Sequence, residues 1–166
     1  MTLAVRPARE SDQASIYDLA RNERVNPTNL HWFNFFVASI DARVIGIVQL
    51  RRHRDGSREL GTLIVKASHR GNGLGQQVVD AVMAQNGGRI YTITRASNAS
   101  TCDRWGLQVL DAKTAPRAVK RNYMMGAYGG RLIALVQRRR ANKLVIMERP
   151  ALAHRRQDEF LAAQWF

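Results

Sequence analysis

Glycines at 71, 73 and 75 stand between the apolar run Leu63-Ile64-Val65 and a stretch in which Leu74, Val78, Val79, Val82 and Met83 recur at helical spacing. Glycine costs a helix roughly 1 kcal/mol relative to alanine, so three together at one junction mark a turn that needs them. A strand turning through glycines into a helix sends the chain back across the face of a sheet. Such a chain folds as layered sheet and helix.

The flanking pattern narrows the topology. Residues 2–8 alternate briefly like a strand, and residues 10–24 place Ile16, Leu19 and Ala20 on one helical face behind Ser11 or Asp12 as N-cap. The β-rich runs 32–40 and 43–52 flank Asp41-Ala42, and the Asp55-Gly56 turn leads to a third strand over 59–67. Three strands joined by short turns are antiparallel neighbours. After the glycine-rich turn and its helix, Asn86-Gly87-Gly88 reads as a glycine C-cap, and the strand 89–94 is free to run parallel to 59–67. A short helix over 98–105 stops at Gly106, with a strand at 107–111 beyond it. Residues 116–140 read as helical with a break at 126–130, and a strand over 142–150 closes the pattern. The expected architecture is α/β, a mixed sheet of six to seven strands flanked by helices. Residues 1–150 form a single domain, and 151–166 form a tail or helix whose Leu152, Phe160, Leu161, Trp165 and Phe166 suit docking or a homodimer contact.

Composition sets the remaining bounds. At 166 residues the chain has the length of one domain. No apolar run approaches a membrane span, the N-terminus lacks a signal-peptide pattern, and a lone cysteine suits a reducing compartment, so a cytoplasmic protein is expected. The net charge of +13, with 22 arginines among 26 basic residues, attracts polyanions without saying which. Nucleic acid is a less favoured partner, because no helix-turn-helix, zinc-ligand spacing or aromatic platform accompanies the charge.

Strand, glycine turn and helix start together gather free backbone N–H groups at the positive end of a helix dipole, where glycines allow a phosphate close approach. A Walker A loop would end in Gly-Lys-Ser/Thr, which is missing, and a Rossmann fingerprint would open a parallel unit rather than follow three antiparallel strands.

The run Arg70-Gly71-Asn72-Gly73-Leu74-Gly75, at this junction and within this order of elements, resembles the acyl-CoA-binding segment of the GCN5-related N-acetyltransferase (GNAT) family over roughly 150 residues. The resemblance implies acetyl-CoA as co-substrate, no metal, and acetyl transfer to a primary amine of a small molecule or amino acid. It places the coenzyme A pyrophosphate on the backbone of Gly71 to Gly75, with Arg70 beside it, and the pantetheine arm along Leu63, Ile64 and Val65. Arg95, at the end of the next strand, is within reach of a phosphate or is an ordinary surface arginine. Glu59 stands where some members carry a catalytic base, or opens its strand as a solvated carboxylate; His53 and His69 are the alternative bases. Cys102 stands where many members have a tyrosine that protonates the departing thiolate, and is read either as that acid or as a small apolar filler. Other readings are an acyl-CoA-binding module with little catalysis, or a basic nucleic-acid-binding protein. Acceptor contacts are expected from residues 26–36 and 50–57, where Arg51, Arg52 and Arg54 suit a carboxylate or phosphate.

Overall fold

The computed structural model describes residues 3–23, 29–136 and 142–151. Seven strands form one mixed sheet: β1 (Leu3–Pro7), β2 (Phe35–Ile40), β3 (Arg43–Arg52), β4 (Arg58–Val65), β5 (Ile90–Arg95), β6 (Gln108–Leu110) and β7 (Leu144–Arg149). Their spatial order is β1-β2-β3-β4-β5-β7-β6. The first four run antiparallel as a meander, and β2 and β3 join through Asp41 and Ala42, both at positive φ as a tight primed turn requires. β4 and β5 are the parallel pair, made possible by the helix crossing between them.

Four α-helices cover the sheet: α1 (Gln13–Asn22), α2 (Leu74–Ala84), α3 (Ala99–Asp103) and α4 (Arg117–Val136). Strand alternation splits the core in two. On one face Val48, Leu50, Leu60 and Ile90 pack with Val78, Val79 and Val82 of α2 and with Cys102 of α3. On the other, Phe35, Val37, Ile47 and Ile64 meet Ile16, Leu19 and Ala20 of α1, while Tyr91 and Ile146 meet Val119 of α4. The expected class and the meander therefore hold. Of the aromatic residues near the start of β2, Phe35 is core and Phe33 is 65% exposed.

Two local expectations are corrected. α4 runs unbroken through Gly126, Gly129 and Gly130. A Cβ on Gly126 would lie 3.3 Å from Leu144 Cδ1, so this glycine serves close approach of the helix to β7 rather than a break. α2 ends without a left-handed glycine: its C-cap, Gln85, is right-handed. Asn86 Nδ2 donates to Val82 O at 2.7 Å, and the buried Arg149 of β7 donates to the carbonyls of Met83 and Asn86. Side chains thus satisfy the carbonyls that a glycine cap would have satisfied through the backbone. The apolar tail residues from 152 onward lie outside the described residues, and no helix among the described residues is long and apolar enough to cross a membrane.

Candidate active site

β4 and β5 are paired only at Glu59–Tyr91 and Leu60–Thr92 and then diverge. On its other side β4 carries an extra residue relative to β3: Gly61 faces Gln49 and Ile64 faces Ile47, with Thr62 and Leu63 between them opposite no registered partner. Thr62 has φ of 36°, an unusual conformation for a β-branched residue. A bulge of this kind bends a strand and re-aims its backbone. The centre of the sheet therefore opens into a cleft in which β4 has backbone groups without ladder partners.

A cavity of 510 Å³ fills this opening on the α2/α3 face, lined by Leu60, Thr62, Leu63, Thr94, Cys102 and Trp105 among others. Its lining residue Leu63 also packs beneath the start of α2, beside the glycine turn. Gly71 and Gly73 have φ of 88° and 71°, and a Cβ on either would meet nothing within 4 Å. The left-handed backbone accounts for both glycines, and the space above them is open. Gly75 differs: its Cβ would make ordinary contact with Leu63 Cδ2 at 3.5 Å, inside α2. Gly73 is the N-cap of α2, with no side-chain cap and no acid in the first turn, so the leading N–H groups remain available. Asn72 is exposed at the tip of the turn, and Leu74 is buried below it. Arg70 is engaged: Nε donates to Val65 O at 2.7 Å, and the guanidinium also pairs with Glu23, just past the end of α1. Arg95 is exposed at the far end of β5.

Cys102 is buried in the cavity wall, where desolvation, and secondarily Asp103, push its thiol above the ordinary range. The thiol therefore keeps its proton at neutral pH. α3 is held against α2 by Trp105 Nε1 donating to Asp80 Oδ1 at 2.6 Å.

Glu59 lies on the opposite face, 3% exposed. Its Oε2 accepts from Asn122 Nδ2 of α4 at 2.8 Å and lies 3.0 Å from His53 Nε2, and its Oε1 is 3.5 Å from Arg51. The solvated reading of Glu59 is excluded. The pairing extends across the strands: Arg51 Nε and Thr62 Oγ1 both donate to Gln49 Oε1, and Gln49 Nε2 donates to Asn29 O. Sequence reasoning missed Gln49 and Asn122. The first had a signal, as the lone amide in an otherwise apolar strand core; Asn122 is 63 residues from Glu59 and carried none. His69 lies apart, bonded to Ser68 and beside Ile40, Asp41 and Lys66.

Comparison with known proteins bears directly on this geometry. Residues 31–105, which carry the opened β4, the glycine turn and the Cys102 helix, match the model of the acetyltransferase (GNAT) domain. That segment, just under half of the chain, is similar to the GNAT acetyltransferase domain. No curated protein sequence matches the chain. Several solved structures share its fold. N-acetylglutamate synthase from Neisseria gonorrhoeae, complexed with coenzyme A and N-acetyl-glutamate, aligns with a TM-score of 0.68 at 15% identity over 91% of this chain. This chain spans 35% of that enzyme's length. A Mycobacterium tuberculosis protein in complex with CoA aligns with a TM-score of 0.64 at 20% identity, covering 90% of this chain and 99% of its own. The ribosomal-protein-S18-alanine N-acetyltransferase from Escherichia coli aligns at 0.63 and 12% identity, covering 94% and 98%. The shared fold thus extends well beyond the matched segment.

Proposed function

We propose that this protein is a GNAT enzyme, an acetyl-CoA-dependent N-acetyltransferase that acetylates a primary amine of a small molecule or amino acid. The observation that carries the reading is the juxtaposition of three features: an uncapped helix start behind Gly71 and Gly73, an unpaired β4 edge, and a cavity lined by Leu60 and Leu63 of that strand. A pyrophosphate fits the first, on the backbone of Gly71 to Gly75. The amides of a pantetheine arm fit the second, hydrogen-bonding to Leu63, Ile64 and Val65 as an added strand would. A thioester fits the third, with the free backbone near Thr62 available to its developing oxyanion.

Thioester and base approach each other through the gap between β4 and β5. Glu59, directly before Leu60 and on the opposite face, takes the proton that an ammonium must lose before it can attack. His53, hydrogen-bonded to it, is the natural relay. Attack of the neutral amine on the thioester carbon forms a tetrahedral intermediate; its collapse breaks the carbon–sulfur bond, and the thiolate takes a proton. The neutral Cys102 thiol lines the cavity where that thiolate forms and suits the donor role. No metal is required for any of these steps.

Calorimetric titration with acetyl-CoA at physiological salt tests the reading, with inorganic polyphosphate as the control for bare charge. One-to-one micromolar binding that polyphosphate does not displace is expected; binding that vanishes with salt would reduce the glycine run to a turn. Cys102 supplies a second check. Alkylation of its thiol by a maleimide should be slow at pH 7, accelerate above pH 9, and fall at least tenfold when acetyl-CoA is bound. Labelling indifferent to acetyl-CoA would remove the cofactor from this cavity.

A further inference from the structure

A second cleft, of 490 Å³, lies between the β3–β4 turn and the first turns of α4. Arg52, His53, Arg54 and Asp55 form one wall; Arg117 and Arg121 form the other. All four arginines are exposed, and among the described residues none has a carboxylate within 4.0 Å. The single acid is already committed. Asp55 accepts from Ser57 Oγ at 2.6 Å and from the N–H of Ala118 at 3.1 Å, contacts that lower its pKa to about 2 and fasten the turn onto the helix. Four guanidinium groups therefore line a cleft of small-molecule size with one carboxylate, itself used to join the two walls. His53 links this cleft to the chemistry: its ring lines the cleft, and its Nε2 is 3.0 Å from Glu59.

From this juxtaposition we infer that the cleft selects the acceptor, and that the acceptor is a small primary amine carrying a carboxylate or phosphate. The inference rests on the acetyltransferase reading for the reaction, but not for the binding. Guanidinium groups pair bidentately with either anion, which anchors one end of the acceptor. The amine at its other end is then directed to His53 and Glu59, where negative charge welcomes an ammonium. The same arginines repel acceptors that are wholly cationic, such as polyamines and lysine side chains.

The test uses matched amines differing by one anionic group: phosphoethanolamine against ethanolamine, and β-alanine against β-alaninamide. Each is titrated calorimetrically into the full chain with and without coenzyme A, and each is then assayed as acceptor. The anionic member of at least one pair is expected to bind at least tenfold more tightly and to show at least a tenfold lower KM. The pair that discriminates identifies phosphate or carboxylate. The double substitution Arg117→Gln/Arg121→Gln, on the exposed face of α4, should abolish the difference while leaving acetyl-CoA affinity unchanged. Equal binding within both pairs, discrimination that survives the double substitution, or tighter binding of spermidine or of a polynucleotide would each overturn the inference. Because these titrations read the cleft directly, their failure is distinct from a failure of acetyl-CoA to bind.

Discussion

Gly73→Val should weaken acetyl-CoA binding at least a hundredfold, about 2.8 kcal/mol, while Gly75→Ala two residues on should leave it within a few fold. The two glycines share a loop but not a role. Gly73 holds φ at 71° with open space where a Cβ would go, so valine adds backbone strain of about 1–2 kcal/mol and puts a branched side chain where a pyrophosphate would approach the N–H groups. Gly75 is already helical, and its Cβ would point to Leu63 and Val65, beneath the helix and away from the cradle. Both variants should retain native circular dichroism, since the added atoms at 73 strike nothing in the protein. Equal affinities for the two variants would end the cradle reading, because a ligand seated on the loop would meet the side chain at 73 and not the one at 75.

The second large effect is expected at Glu59. Glu59→Gln should lower kcat by about a hundredfold or more, the ordinary scale for loss of a general base, with acetyl-CoA affinity unchanged. Glutamine keeps the size of the side chain and one oxygen able to accept from Asn122, but cannot hold the transferred proton. The carboxylate is also buried among Arg51, His53 and Asn122, so some loss of stability will accompany the substitution. The kinetic readout separates the two consequences. Loss of a base removes a limb of the pH–rate profile, whereas a merely loosened site lowers the rate with the profile intact. A variant that keeps both its rate and its profile would move the base to His53 or to solvent.

Much of this arrangement was legible before any coordinates. The Asp41-Ala42 and Asp55-Gly56 turns announced the meander, and the glycine run announced a strand-to-helix junction, because turn chemistry is local and glycine at positive φ has few other causes. What stayed hidden was non-local. The insertion of β7 between β5 and β6 follows from no spacing in the chain. Glycines at 126, 129 and 130 suggested a break where helix packing against Leu144 decided otherwise, and Asn86-Gly87-Gly88 suggested a glycine cap where Arg149, more than sixty residues away in sequence, does the work. The bulge at Thr62 was invisible because threonine is an ordinary strand residue; its odd φ is imposed by the register of β3 against β4. Among the candidate site residues, Glu59 and Cys102 were singled out by position, but their burial and partners came from elements that approach only in the fold.

The divergence of β4 from β5 has a mechanical side. The meander β1–β4 and the group β5–β7–β6 are joined through the sheet by two registered residue pairs, while β3 and β4 alone share six. The molecule is thus two stiff plates with a short seam, and α2 lies across it, packing on both Leu60 and Ile90. A ligand lying along the open edge of β4 and against Thr94 of β5 would act as a splint, holding the plates at one separation. Occupancy would then set stiffness as well as stability, bracing the loaded protein by about 2.7 kcal/mol at a hundredfold excess over Kd. A gap wide enough to admit a ligand is also the place where that ligand would brace the sheet.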